Sequence, residues 1–136
     1  MARKIIVLLV EPLTEPRIVT VELTLDNLQE LVGGTIQAVY PWEDPVALIC
    51  NDDGIAMGLP LNRMLKDEDG QIYDIVHGTF FITGLSRDNF TSISDKLAEK
   101  FRKLFQYPEL YMQTEDGHVY CFKIGSDEQP ITVFLG

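Results

Sequence analysis

The stretch from Cys50 to Arg63, CNDDGIAMGLPLNR, holds the densest set of reactive groups in this 136-residue chain. It offers a thiol, two adjacent carboxylates, an amide and a guanidinium. A thiol becomes a nucleophile only when a base removes its proton. Few bases are on offer, since the chain has two histidines, His77 and His118, each beside a glycine near an expected turn. Cys121 lies, like Cys50, in an apolar run, where a free cysteine is ordinarily a small core residue. No HExxH, Cys-x-x-Cys or other clustered ligand spacing occurs, and neither phosphate-cradling glycine motif is present. A small hydrolase that brings Cys50, His77 and a carboxylate together only in space stays open, but no motif signals it. No catalytic residue, metal or cofactor is assigned.

The acidic pair poses a choice between a cation loop and a tight turn. An EF-hand loop needs carboxylates at its first and twelfth positions around a glycine at the sixth. Gly54 in the sixth place puts Ile49 first and Pro60 twelfth, and Gly70 puts Leu65 first and Val76 twelfth. Both frames fail. Asp-Gly between apolar runs is instead a hairpin signal, since glycine accepts positive φ without a steric cost. It occurs at Asp53-Gly54, Asp69-Gly70 and Asp116-Gly117. Three hairpin turns are expected, the first joining strands Val46–Cys50 and Ile55–Gly58.

Asn62 and Arg63 follow a rigid Leu59-Pro60. Arginine presents a planar fork that suits carboxylates, phosphates or backbone carbonyls. Two readings stand for the pair. Either they satisfy nearby carbonyls or pair with Asp67 or Asp74, or they contact a ligand. Between Glu43 and Asp74 lie eight acidic residues against Arg63 and Lys66 alone, a net charge of −6. Tyr40 and Trp42 border that segment, and aromatic side chains beside charge suit a protein–protein contact. The binding candidates are therefore Tyr40, Trp42, Asp52, Asp53, Asn62, Arg63 and Asp74.

These residues have to be held by elements the pattern also predicts. Lys4–Val10 reads as a strand covered on both faces, and Arg17–Leu23 returns beside it after two prolines. Thr24 caps a short helix whose Leu25, Leu28, Leu31 and Val32 share a face, and Gly33-Gly34 ends it. Thr35–Tyr40 resumes as a strand. Tyr73–Val76 and Thr79–Thr83 form strands around His77-Gly78, with Gly84 breaking the second. Phe90, Ile93, Leu97, Phe101, Leu104 and Phe105 recur at helical spacing and predict one long helix stopped by Pro108. From Glu109 come a hairpin and a last strand, Ile131–Leu135. Many short strands, two helices and no steady βαβ alternation predict a single α+β domain over residues 1–136. Its sheet is mainly antiparallel or mixed.

The net charge is −10. It argues against direct nucleic-acid binding, which needs clustered lysine and arginine. It fits a soluble surface or a basic partner. The basic start and the run Ile5–Val10 fall short of the ~7–15 apolar residues of a signal peptide. No stretch reaches the ~20 of a membrane span. The expectation is a cytoplasmic protein without membrane contact; its oligomeric state is left open.

One ordered set of motifs carries a resemblance. It comprises Leu31-Val32-Gly33-Gly34, Ala38-Val39-Tyr40-Pro41, Ile49–Gly54, Leu59–Arg63 and Asp74–Ile82. Together they resemble an uncharacterised domain family spread through phages and mobile elements of gut Firmicutes and their relatives. The likeness runs from about Lys4 to Phe105, with 109–136 as a C-terminal β addition. It implies an accessory or counter-defence role and supplies no catalytic residue. The expected function is a non-catalytic inhibitor in the bacterial cytoplasm. It would act through its acidic surface on a host protein with a basic surface, such as a CRISPR, restriction or other immune factor. The alternative is a protein that sequesters a nucleotide immune signal, with Arg63 on phosphate and Tyr40 or Trp42 stacking on the base.

Overall fold

A computed structural model of the chain describes residues 3–133. Its first half runs β1 (Lys4–Val10), β2 (Arg17–Glu22), α1 (Leu25–Val32), β3 (Ile36–Val39), β4 (Val46–Asn51) and β5 (Leu61–Lys66). The second half runs β6 (Ile72–His77), β7 (Phe80–Leu85), β8 (Phe90–Thr91), α2 (Asp95–Leu104), β9 (Glu109–Gln113), β10 (Val119–Lys123) and β11 (Ile131–Val133). The architecture is α+β, with antiparallel pairing throughout.

The apolar run of β1 determines the centre. Alternate side chains of a strand point to opposite faces, so a strand apolar at every position must be covered twice. Ile5, Val7 and Leu9 enter one buried cluster and Leu8 and Val10 another. The same split divides Ala47 and Ile49 from Val46 and Leu48 in β4, and Phe81 from Phe80 and Ile82 in β7. These strands form the sheet β2-β1-β7-β4-β3, with β8 added to β7.

Helix α1 covers the first face with Leu28 and Val32. Its start is capped as expected, with the Asn27 amide donating to Thr24 Oγ1 at 3.2 Å. Its end is Gly33 at φ 78°. The second face takes α2, through Ala98, Phe101 and Phe105, together with Leu65 of β5 and Val76 of β6. The hairpin β5–β6 is itself two-faced. Met64 and Ile75 point away from the main sheet and pack on Cys121 and Val133. The sheet β11-β10-β9 thus forms an outer layer over that hairpin.

Several expectations are corrected. Residues 55–58 form no strand, because the chain leaving β4 curls into a helical turn. Met57 N–H donates to Asp53 O at 2.9 Å and Leu59 N–H to Gly54 O at 3.0 Å. The left-handed residue that ends this turn is Gly58, at φ 69°, while Gly54 has an ordinary φ. The physical cause is Asn51, whose Oδ1 accepts from Asp53 N–H at 2.7 Å and starts the turn. The two later Asp-Gly turns do close hairpins, with Gly70 at φ 79° and Gly117 at φ 87°. β6 and β7 belong to different sheets. Gly84 lies inside β7, where a Cβ would come within 2.3 Å of the Ser92 carbonyl oxygen. Glycine there admits a neighbouring backbone. The long helix is shorter than its stripe, since Ser94 caps α2 and Phe90 belongs to β8 of the sheet, with its side chain packed on the face that α1 covers. Leu25 and Leu104, expected to be buried, are exposed. The last strand is seen to Val133, and its expected continuation to Leu135 lies outside the described residues.

Candidate functional site

The Asn62-Arg63 pair owes its position to an irregularity in the β5–β6 ladder. The register slips between Leu61 and Arg63, leaving Asn62 without a ladder partner. Its side chain turns inward and is fully buried. Nδ2 donates to Val10 O and to Gly78 O, each at 2.9 Å. Arg63 is also fully buried. Its Nε and Nη2 donate to Phe105 O at 3.2 and 3.1 Å, and Nη2 also to Thr14 O at 2.7 Å. Its Nη1 donates to Asn62 Oδ1 at 2.8 Å and to Asn62 O at 3.4 Å. Every N–H of the fork is used. Burial lowers the Arg63 pKa, and the nearby Glu109 carboxylate opposes that shift. Asn62 and Arg63 therefore tie the β1–β2 turn, β5, Gly78 and the end of α2 together. Of the two readings of the pair, this is the satisfaction of nearby carbonyls, and it leaves no N–H of the fork for the phosphate of the nucleotide reading.

Glu109, read in the sequence only as the start of a strand, is the second buried charge. Its Oε1 accepts from Met64 N–H at 2.9 Å and from the Tyr111 hydroxyl at 2.6 Å. Burial, then the Glu109 charge, drives the Tyr111 pKa far up. The same two causes push the Cys121 thiol up to about 11. No local pattern marks Glu109, because its partners come from β5, β9 and β10.

The remaining candidates divide between two clefts. Tyr40 and Trp42 border a cleft of about 760 Å³ between the β3–β4 loop, β5 and α2. Trp42 is only half-buried, with its ring centroid 4.4 Å from that of Phe101 and 6.1 Å from that of Phe105. Tyr40 is the exposed aromatic, at 60%. Charge around this cleft is mixed. Lys66, Lys100 and Lys123 stand among Glu43, Asp44, Asp67 and Glu68, and Lys100 pairs with Asp44 at 2.6 Å.

Asp52, Asp53 and Asp74 come together at a second cleft of about 380 Å³ between β4, the helical turn and β6. Lysine and arginine are absent from its lining, which also includes Cys50, Ile55 and His77. The turn is pinned beneath it by buried Asn51, whose Nδ2 donates to Val32 O at 3.1 Å. Gly34 makes room, since a Cβ there would lie 2.8 Å from that nitrogen. The pinned turn projects Ile55, 76% exposed, into the lining beside the carboxylates, while Met57 lies outside that lining with its sulfur 3.5 Å from Asn51 Nδ2.

Cys50 and His77 share this cleft without engaging each other. His77 Nδ1 lies 3.2 Å from Leu59 O, which fixes it as the donor, and the Cys50 thiol faces Gln37 O at 3.8 Å. Burial, then Asp74 and Asp52, push the thiol up to about 11. A proton held that firmly at neutral pH is the opposite of what a nucleophilic cysteine requires. The arrangement instead presents carboxylates and apolar side chains on a braced turn. Among the described residues no three histidine, cysteine, aspartate or glutamate side chains converge to hold a metal ion. No helix there is long and apolar enough to cross a membrane.

Comparison with curated proteins and with solved structures finds no match in either. Residues 4–106 match a family described as Domain of unknown function (DUF3846). That span takes in the main sheet, both helices and the Asp52–Asp74 cleft, while the larger cleft also draws Glu109 and Lys123 from the β9–β11 layer beyond it. The chain is a member of this family of domains of unknown function, and its three-stranded sheet follows the matched residues.

Proposed function

We propose that this protein is a non-catalytic binding protein that docks a basic partner protein on the cleft bounded by Asp52, Asp53 and Asp74. One observation carries the reading: three carboxylates surround that cleft and no lysine or arginine lines it. Charge of one sign around a cleft focuses its field and attracts the complementary surface. Ile55, exposed on the same braced turn and lining the cleft, supplies the apolar contact that charge alone does not. The buried Asn62–Arg63 pair and the firmly protonated Cys50 fit a scaffold better than a reaction centre. In the setting suggested by the resemblance to phage and mobile-element accessory domains, the partner is a bacterial defence or regulatory protein. The protein then serves as an inhibitor in the cytoplasm.

The test uses a probe of defined chemistry. A lysine- and leucine-rich peptide titrated into isotopically labelled protein is expected to shift the amides of Asp53, Ile55 and Asp74. Binding should weaken steeply toward ~0.5 M salt, where exposed charges are screened. The charge-reversed Asp52→Lys/Asp53→Lys protein should lose the effect. Shifts centred elsewhere, or binding indifferent to both salt and reversal, would sink the proposal.

A further inference from the structure

Among the described residues no further layer covers one face of the outer sheet. Across the β9–β10 ladder Leu110 stands opposite Phe122 and Met112 opposite Tyr120, and Tyr120 in turn faces Thr132 of β11. Residues directly opposite in antiparallel strands share a face. The alternate set, Tyr111, Val119, Cys121, Ile131 and Val133, points inward and packs with Met64 and Ile75 of the β5–β6 hairpin. The outward set is apolar too, which is not what a solvated sheet face looks like. Leu110 is 39% exposed, Met112 51% and Phe122 37%, and Ile124, one step beyond β10, is 46% exposed. No charged residue occupies a strand position on this face. The His118 ring borders it at the turn end, 6.4 Å from that of Tyr120.

We propose that this face of the β9–β11 sheet is the contact through which two copies of the chain associate. Size is the first argument. At ~200 Å² for a large apolar side chain, the exposed fractions leave on the order of 400 Å² of apolar surface. A standard interface buries ~800 Å² per partner, a little over half of it apolar, so the patch is the size of one such apolar centre. Charge is the second. The chain carries −10, and two copies repel unless they meet where carboxylates are absent. The strand positions of this face meet that condition, with Asp116 only at its turn end beside His118, and the Asp52–Asp74 cleft does not. A basic partner, by contrast, finds no counter-charge on it. Two such faces stacked about a two-fold axis at ~10 Å bury each other's apolar rows. The face lies wholly beyond the family core at 4–106, so the contact belongs to this chain's added layer.

Sedimentation equilibrium of the whole chain decides the matter. From about 10 to 200 µM the mass is expected to rise from the 15.4 kDa of one chain toward twice that value. Met112→Lys and Phe122→Glu, made singly and together, should hold it at one chain. Unchanged circular dichroism and melting temperature would show that the exposed replacements leave the fold intact. The wild-type concentration series needs no variant to fold. A single-chain mass across the whole range overturns the proposal, and so does a dimer that survives both replacements. Gain of mass only on adding another protein also overturns it. None of these outcomes bears on cationic-peptide binding at Asp52 and Asp53, so the two proposals fail separately.

Discussion

Replacing Arg63 by methionine keeps most of the stem volume and deletes all five donors. Four acceptors then lose this donor, three of them at 3.2 Å or less, Phe105 O, Thr14 O and Asn62 Oδ1, and Asn62 O at 3.4 Å. Leaving a buried acceptor unpaired costs ~1–3 kcal/mol, and Thr14 O, only partly buried, falls at the low end because water can reach it. Removing a buried charge returns part of its desolvation cost, which tempers the total. The expected loss is about 3–5 kcal/mol, a large share of the 5–15 kcal/mol that holds a typical domain. Lysine keeps the charge but concentrates its donors on one nitrogen, which cannot span three acceptors. Arg63→Lys should therefore cost roughly 2–4 kcal/mol. Trp42, the single tryptophan, provides the assay, because its ring lies against Phe105, whose carbonyl takes two of the bonds. Urea unfolding followed by its fluorescence should show both midpoints falling with little change in slope. If Arg63→Met stays within ~1 kcal/mol of the wild type, the argument that this arginine is a tie is wrong.

Two further outcomes follow from single features. Cys50 and Cys121 hold their protons to about 11 in the fold, above the ordinary thiol range, so the folded state retains protons that the unfolded state releases. That contribution is complete below pH ~8.5 and is lost as the pH rises toward about 11. The melting temperature should fall through that window, the loss should shrink in Cys50→Ala/Cys121→Ala protein, and iodoacetamide at pH ~8 should modify folded protein far more slowly than unfolded. Alkylation at equal rates would contradict it. Gly84→Ala should cost about 2–3 kcal/mol, because its methyl meets the Ser92 carbonyl at 2.3 Å and backbone cannot step aside as a side chain does. Hydrogen exchange would show the loss concentrated at Phe90 and Thr91, and a variant as stable as the parent would refute the close approach.

Much of the frame was legible because it rests on short-range chemistry. The doubly apolar β1, the Thr24 cap, the Gly33 stop and the Gly70 and Gly117 turns each depend on residues within a few positions of one another. Even so, the Asp53-Gly54 turn misled. The same dipeptide makes a hairpin only if two strands are free to pair beyond it, and here buried Asn51 and the Val32 carbonyl claim the chain first. The α2 stripe misled for a related reason. Helical spacing alone does not show that Phe90 is taken by a strand edge and that Ser94 resets the start.

The sequence by itself determined the class of the fold, the sign of its charge and the list of groups that could act at all. Tertiary structure decided which of those groups are available. Arg63 and Asn62 are spent on carbonyls 42 to 52 residues away, at Phe105, Thr14 and Val10, and on nearer ones at Gly78 and in Asn62 itself. Asp52, Asp53 and Asp74 were left together at a cleft free of cations. Glu109, at the start of the outer layer, was turned inward onto the Met64 amide of β5, 45 residues away. The physical reason is common to all three: a side chain's role depends on which distant backbone and charge it meets, and only the closed fold makes those meetings.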